Sequence, residues 1–185
     1  MKNLFTVSKP IWIKNKENEM NLRVQFKAVI DFNENVTVNI ATSGIYQLWV
    51  NGNFVSYGPA RAGKGRFRMD AISVDKLLIE GKNIIVIEVD GYNAEGYYIQ
   101  NQPSFLQAEI ISSNDVLAYT GKDFTARINP YYYQKMQRYG WQRPMVESYN
   151  YNSPNDNFFV SENNGDSEIC ITEDKHIIER CVPYP

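Results

Sequence analysis

The sequence has few of the residues on which catalytic and metal chemistry usually depends. Its 185 residues include one histidine, His176, and two cysteines, Cys170 and Cys181. A lone histidine cannot build a zinc site, and the cysteines lack C-x-x-C spacing. Neither a G-x-S-x-G nucleophile motif nor a dense Asp/Asn calcium loop occurs. We therefore expect no cofactor, no metal site and no nucleophilic catalysis.

Charge of one sign and long apolar runs are also missing. Lys and Arg total 19 against 21 Asp and Glu, a net charge of −2, which gives no overall field to steer nucleic acid or a membrane surface. No run reaches the roughly 18 apolar residues of a membrane span. The first ten residues lack the apolar stretch of a signal peptide. We expect a cytoplasmic protein if Met1 is the native start, and a periplasmic or secreted one if a signal peptide was removed.

Two cysteines in a chain of this size do not make a disulfide framework. Cys170 and Cys181 are therefore expected to be free thiols. The alternative is a disulfide that closes a short segment near the C-terminus.

Long amphipathic helices are absent too, and short alternating segments take their place. Apolar and polar residues alternate with a period of two in four segments, 22–30, 36–40, 46–50 and 106–110. Residues 84–89 are more continuously apolar, which is typical of a central strand covered on both faces. Many short strands separated by turns predict an all-β fold, an antiparallel β-sandwich or jelly roll.

The stretch G-P-A-R-A-G-K-G, which begins at Gly58, is one residue short of a phosphate-binding loop. Gly65 follows Lys64 where such a loop needs a hydroxyl to ligate Mg²⁺. Residues 66–70 then alternate like a strand instead of opening a helix. Before the stretch, Asn-Gly at 51–52 predicts a two-residue hairpin. The glycines therefore favour a surface loop of a β-protein over a nucleotide site.

An aromatic and basic run at 131–143 could suggest single-stranded nucleic acid binding. The balanced net charge argues against it, so we interpret the run as domain packing. Arg138 and Arg143 are expected to pair with carboxylates such as Glu147.

The last part of the chain changes character. Residues 150–166 are rich in Asn, Ser and Gly and predict a long loop. Two apolar segments, 168–172 and 176–182, predict one or two edge strands. The chain is thus divided into a β-sandwich over 1–150 and a long irregular C-terminal segment over 151–185.

Two stretches resemble the N-terminal β-sandwich domain of bacterial α-L-rhamnosidases. Residues 40–63 contain G-x-Y-x-L-x-x-N-G followed by a G-P loop, and residues 70–98 contain a D-x-L-L turn and G-x-N before an apolar strand. The matching residues are Gly44, Tyr46, Leu48, Asn51, Gly52, Gly58, Pro59, Asp75, Leu77, Leu78, Gly81 and Asn83. The later E-x-Y-N resembles the family's E-x-Y-D with Asn150 in place of Asp, and R-x-x-P near the end resembles its hand-over to the next domain.

This resemblance implies a galactose-binding-like jelly roll that is one accessory domain of a larger glycoside hydrolase. The catalytic carboxylates would then lie in a downstream α/α barrel of the same polypeptide, and this chain would pack on that barrel and help to recognise a rhamnosylated glycan. Two alternatives stay open. A stand-alone carbohydrate-binding module would keep affinity for free sugar, and a purely structural interaction domain would form a homodimer when isolated.

The carboxylates are interpreted as structural or solvated. Glu80, Glu109 and Asp115 fall at turns or at outward strand positions and are expected on the surface. Glu88 and Asp90 end the central strand, where carboxylates commonly accept hydrogen bonds from the backbone. We expect them to be structural groups, although a place in a cleft is the alternative.

Sugar binding needs flat aromatic faces for the C–H groups of a pyranose and planar polar side chains for its hydroxyls. An outward tryptophan on the 46–50 segment and two loops, one after Val55 and one after residue 90, offer such side chains. The candidate carbohydrate-binding residues are Trp49, Tyr57, Arg61, Tyr92, Asn93 and Tyr97. The competing interpretation, which we rank slightly ahead, is that Trp49 fills a second layer of the sandwich and the tyrosines seal an interface with the catalytic domain.

Overall fold

The computed structural model describes residues 4–97, 99–113, 115–142, 145–150 and 156–184. They form two β-sheets and one short 3₁₀ turn, Asp75–Leu77. The strands are β1 Ile11–Ile13, β2 Leu22–Asp31, β3 Val36–Thr42, β4 Tyr46–Val50, β5 Asn53–Gly58, β6 Arg66–Ser73, β7 Lys82–Gly91, β8 Leu106–Ser112, β9 Asp115–Tyr119, β10 Thr125–Ile128, β11 Ile169–Ile171 and β12 His176–Glu179.

The two sheets pack face to face. The seven-stranded sheet runs β11-β1-β8-β3-β6-β12, with β9 paired to β8, and the five-stranded sheet runs β10-β2-β7-β4-β5. The described strand pairs are antiparallel, apart from β12, which lies parallel to β6. The predicted all-β antiparallel sandwich is confirmed.

The core lies between the sheets and is built from the inward positions of each alternating segment. Phe26, Ile40, Leu48 and Ile87 are fully buried there. Each such side chain contributes about 1.5–3 kcal/mol on burial. The period of two in the sequence therefore corresponds to a real division between an inner and an outer face.

The outer face of the five-stranded sheet is covered as well, by the C-terminal part of the chain. Ile84 and Val86 of β7 pack against Phe158. This second layer explains why β7 is apolar on both faces, as predicted for residues 84–89. Beside it, the buried Lys27 donates two hydrogen bonds of 2.8 Å, to the carbonyls of Ser161 and Asn163.

The burial of Lys27 predicts a pH dependence. Burial lowers the pKa of Lys27 from its usual 10.5 to about 8. Between these values the unfolded chain keeps a proton that the folded chain has released, so stability rises with pH in this window. The shift corresponds to at most about 3 kcal/mol. Urea unfolding of the natural chain and of Lys27→Met should show the difference between them growing in favour of the natural chain from pH 8 to pH 10.5. A constant difference would contradict the lowered pKa.

The seven-stranded sheet is bounded by β11 and β12 at opposite edges. Cys170 lies on β11 and Cys181 follows β12, five strand spacings of about 4.8 Å apart. A disulfide needs the two Cα atoms within about 7 Å. Both thiols are free, as expected.

The expectation that Glu109 is solvated is wrong. Its side chain does point outward from β8, but the N-terminal segment covers it and leaves the residue 1% exposed. One carboxylate oxygen accepts hydrogen bonds of 2.7–2.8 Å from the backbone N–H groups of Thr6, Val7 and Ser8. Because an irregular segment has no apolar alternation, the sequence pattern does not reveal that it covers the sheet.

The chain after β12 is fixed to the sandwich through a buried carboxylate. Asp70 of β6 is fully buried. It accepts a hydrogen bond of 2.6 Å from the Tyr46 hydroxyl and forms an ion pair of 2.9 Å with Arg180. Burial, followed by the neighbouring Asp70 carboxylate, raises the pKa of Tyr46 well above its usual value, so this hydroxyl stays a donor.

Candidate functional site

A cleft of about 570 Å³ opens at one end of the sandwich. Its walls are the loop between β5 and β6, residues 59–65, and the loop after β7, residues 92–105; the turn between β3 and β4 lies between them. Strand pairing places these connections together, because β5 and β7 both end where β4 and β6 begin.

One wall of the cleft requires glycine where it leaves β5. A Cβ on Gly58 would lie 2.3 Å from the Asp70 carboxylate and 2.8 Å from the Tyr46 ring. Further along the loop, Gly65 adopts a φ of +74°, which side chains rarely tolerate. The glycines that resemble a phosphate loop therefore shape this wall and let it approach the buried Tyr46–Asp70 pair.

The structure brings four of the six candidate sugar-binding residues to the cleft: Tyr57, Arg61, Tyr92 and Tyr97. Tyr57 is 52% exposed and Tyr97 is 73% exposed, so each has ring surface open to a ligand. Tyr92 is buried, and its hydroxyl donates a hydrogen bond of 3.2 Å to Asp90. Tyr92 therefore forms the base of the cleft.

The other two candidates, Trp49 and Asn93, do not line the cleft. Trp49 lies on the outer face of β4, with its ring centroid 5.3 Å from those of Phe54 and Phe159. The buried Asn93 side chain donates hydrogen bonds of 2.7–3.0 Å to the carbonyls of residues 17 and 19 and to the hydroxyl of Ser104. Trp49 thus packs in the second layer, on the outer face of the five-stranded sheet. Asn93 fixes the start of the wall loop that follows β7.

Two arginines of β6, Arg66 and Arg68, line the cleft and are missing from the candidates based on sequence. Arg68 is held by hydrogen bonds of 2.8 Å from its Nε to the Arg61 carbonyl and 3.0 Å from its Nη1 to the Glu179 carbonyl. Both arginines share a face of β6 with the buried Asp70, opposite the face on which Phe67 packs against Phe105. The alternation at 66–70 was a signal for this strand. It could not show that these positions face a cleft.

Polar side chains are also part of the lining. Amide groups come from residues on two different segments, Gln100, Gln102 and Gln142. The carboxylate in the described lining is that of Glu95, which accepts a hydrogen bond of 3.1 Å from the backbone of Asn101 in its own loop. The cleft therefore combines exposed aromatic rings, amides and guanidinium groups, which are the side chains that recognise sugars.

A buried polar cluster lies beneath Tyr92. Arg23 is ion-paired with Asp90, and its guanidinium lies 4.0 Å from Glu88 and 3.4 Å from Glu147. The same group stacks 4.3 Å from the centroid of the Tyr132 ring. Glu88 and Asp90 are thus structural groups, as expected, but their donors are the side chains of residues such as Arg23, Gln25 and Asn129 and not the expected backbone N–H groups.

The electrostatics of this cluster follow from its burial. Burial raises the pKa of Asp90 to about 6, although Arg23 acts in the opposite direction. Burial alone would lower the pKa of Arg23, but the carboxylates of Asp90 and Glu88 raise it above its usual value. The guanidinium is therefore permanently charged and balances carboxylates that have little access to water.

An aromatic patch, defined here as Tyr133, Tyr139 and Trp141, lies in the segment after β10. All three side chains are more than half exposed. The patch is continuous with the cleft wall, because the backbone N–H of Tyr97 donates a hydrogen bond of 3.1 Å to the Trp141 carbonyl. Arg138 stacks 5.2 Å from the Trp141 ring. Arg143, which was predicted from the sequence to pair with a carboxylate such as Glu147, lies outside the described residues.

Within the described part of the chain, no group of three or more His, Cys, Asp or Glu side chains could hold a metal ion. The same residues contain no helix long and apolar enough to cross a membrane.

Solved structures of other proteins contain a similar arrangement of strands. A GH78 family rhamnosidase of Bacillus sp. GL1 superposes with a TM-score of 0.85 over 97% of this chain and 20% of its own, at 19% identity. This sandwich is similar in fold to part of a GH78 α-L-rhamnosidase. An α-L-rhamnosidase from Dictyoglomus thermophilum matches with a TM-score of 0.50 and 17% identity, over 67% of this chain and 17% of its own. One from Aspergillus terreus matches with a TM-score of 0.52 and 16% identity, over 80% of this chain and 21% of its own.

The resemblance to the rhamnosidase β-sandwich is thus confirmed at the level of fold. This rhamnosidase-like sandwich spans about a fifth of the length of these solved chains. No protein-family model matches its sequence. No curated protein sequence matches it either.

Proposed function

We propose that this chain is a non-catalytic accessory β-sandwich domain of an α-L-rhamnosidase-like glycoside hydrolase. It packs against the catalytic α/α barrel of the same polypeptide and contributes to glycan recognition. The observation that carries the proposal is the fold agreement over 97% of this chain with a fifth of a GH78 rhamnosidase.

The arrangement of carboxylates supports a non-catalytic role. Glycoside hydrolysis needs two carboxyl groups that flank the scissile bond, one as acid and one as base or nucleophile. Glu88 and Asp90 are buried beside Arg23, and Glu95 is the carboxylate of the described cleft lining. Such a cleft can hold a sugar, but its described lining lacks a facing acid and base to cleave one.

The aromatic patch supports packing against a further domain. Exposed apolar surface with a polar rim marks interaction sites, and tyrosine and tryptophan are enriched in them. The occupant that we assign is the catalytic barrel, because the solved rhamnosidase chains are about five times as long as the part that this sandwich matches. The alternative, a stand-alone carbohydrate-binding module, draws its support from the cleft.

An antibody against this chain tests the proposal in the source cells. On a denaturing gel we expect it to detect a polypeptide several times larger than 21.4 kDa. The captured protein should release L-rhamnose from an aryl α-L-rhamnoside, because the barrel would come with it, whereas this chain alone should release none. A single band of 21.4 kDa, or hydrolysis by this chain alone, would contradict the accessory role.

A further inference from the structure

We propose that the cleft binds acidic saccharides by accepting the carboxylate of a uronate residue, in preference to neutral sugars. This inference rests on the glycan-contacting role proposed above and names the chemical class of ligand. It follows from the charge, the rigidity and the aromatic surface of the cleft lining.

The cleft concentrates positive charge on a chain that is acidic as a whole. Its lining contains three arginines, Arg61, Arg66 and Arg68, and one described carboxylate, Glu95, so the local formal charge is 3 − 1 = +2. The whole chain carries −2. A concave site with one sign of charge focuses its field and attracts ligands of opposite charge. This local excess favours an anion over a neutral pyranose.

The type and setting of these cations favour a carboxylate in particular. The planar fork of a guanidinium donates two parallel hydrogen bonds to a carboxylate. The Nε and Nη1 of Arg68 already donate to the carbonyls of Arg61 and Glu179, so Arg68 contributes a fixed positive charge and its Nη2 donor, and the two-pronged contact is assigned to Arg66. Arg66 lies on the same face of β6 as Arg68, two residues before it. Two of the three guanidinium groups of the cleft, those of Arg66 and Arg68, are therefore carried by a strand, and the third, Arg61, belongs to the wall loop.

The rest of the lining fits a saccharide better than a simple anion. Tyr57, near the end of β5, and Tyr97, in the loop after β7, both line the cleft with more than half of each side chain exposed. Aromatic faces suit the C–H surface of a pyranose. Gln100, Gln102 and Gln142 can donate to and accept from hydroxyls. A small inorganic anion would use the arginines alone and leave these groups without a role.

Nuclear magnetic resonance titration of the ¹⁵N-labelled chain tests the proposal with matched ligands near neutral pH. D-Glucuronate should bind about tenfold or more tightly than D-glucose, since the two differ at the carboxylate that forms charge-assisted hydrogen bonds. Shifts should be confined to amides of the two wall loops, 59–65 and 92–105, and of the strand residues 57–58 and 66–68 that flank the first loop. Added salt should weaken the binding, because the cleft is open to solvent. Inorganic phosphate and L-rhamnose complete the ligand set.

Three single variants assign the effect to the cleft. Arg66→Gln should reduce glucuronate affinity about tenfold and remove the preference over glucose. Tyr97→Ala should weaken glucuronate and leave phosphate unchanged, because the ring contacts sugar C–H groups. Lys64→Gln removes the same charge two residues before Arg66, at a position outside the described cleft lining, and glucuronate affinity should stay within about twofold.

Each outcome decides between the proposals. Equal affinity for glucuronate and glucose, or equal loss of glucuronate binding in Lys64→Gln and Arg66→Gln, would overturn the uronate assignment. Phosphate that binds as well as glucuronate, with no effect of Tyr97→Ala, would reduce the cleft to a general anion site. Saturable binding of L-rhamnose without a charge preference would overturn this inference and leave the glycan role standing. Absence of binding to every one of these ligands would overturn both the uronate assignment and the proposed role in glycan recognition.

Discussion

Replacement of Arg23 by methionine should lower the free energy of unfolding by about 3–5 kcal/mol. Arg23 is 2% exposed and is the cation that faces Asp90, Glu88 and Glu147. Its removal leaves buried carboxylates without a counter-charge, and the low dielectric around them makes that costly. Urea unfolding followed by intrinsic tryptophan fluorescence measures the change.

Two companion variants separate charge from packing at Arg23. The double variant Arg23→Met with Asp90→Asn should recover part of the loss, because the amide needs no counter-charge. Lys14→Met removes a cation from an exposed ion pair with Glu168 and should lower the free energy of unfolding far less than Arg23→Met does. If Arg23→Met unfolds no more easily than Lys14→Met, the cluster does not stabilise the fold.

The loss in Arg23→Met should shrink at acidic pH. Burial already raises the pKa of Asp90 to about 6 in the natural chain, and loss of Arg23 raises it further. Protonation then removes the unpaired charge that destabilises the variant. Unfolding measured from pH 7 down to pH 5 should therefore bring the two chains closer together.

Replacement of Asp70 by alanine should cost a similar amount, about 3–5 kcal/mol. The substitution leaves the Tyr46 hydroxyl and the Arg180 guanidinium without their shared acceptor inside the fold. It should also release the segment after β12, because Arg180 holds that segment to β6. Hydrogen exchange should show weaker protection of β12 amides in addition to the fall in global stability.

An exposed aspartate provides the control for Asp70. Asp31 forms an ion pair of 2.8 Å with Lys82 at the surface, and Asp31→Ala should cost less than about 1 kcal/mol. Equal effects of Asp31→Ala and Asp70→Ala would show that the buried carboxylate is no better connected than a surface one. Unchanged protection of β12 would show that Arg180 does not hold the segment.

The two buried clusters lie beneath the two walls of the cleft. The Tyr46–Asp70 pair contacts the wall that leaves β5 at Gly58, and Asp90 supports the other wall through the Tyr92 hydroxyl. A rigid base keeps exposed side chains such as Tyr57 in place before a ligand arrives, and this lowers the entropy cost of binding. We therefore expect the affinity of the proposed ligand site and the stability of the sandwich to depend on the same buried carboxylates.

Four strands of the sandwich, β2, β3, β4 and β8, and their inner faces could be predicted from the sequence by itself. Alternation at 22–30, 36–40, 46–50 and 106–110 indicates which side chains face the core between the sheets, and this local pattern predicts both the strand and its inner face. Asn-Gly at 51–52 fixed a hairpin for the same reason, since its conformation is local. The resemblance to the rhamnosidase sandwich rested on this regular part of the chain.

Only the tertiary structure decided what covers the outer faces. Glu109 and Lys27 occupy outward positions that alternation assigns to solvent, yet irregular segments from both ends of the chain bury them. The same limit applied to the cleft: Trp49 and Asn93 lie away from it, while Arg66 faces it. Which loops meet at one end depends on strand order between distant residues. Local sequence periodicity carries no information about that order, because it reports only on neighbours along the chain.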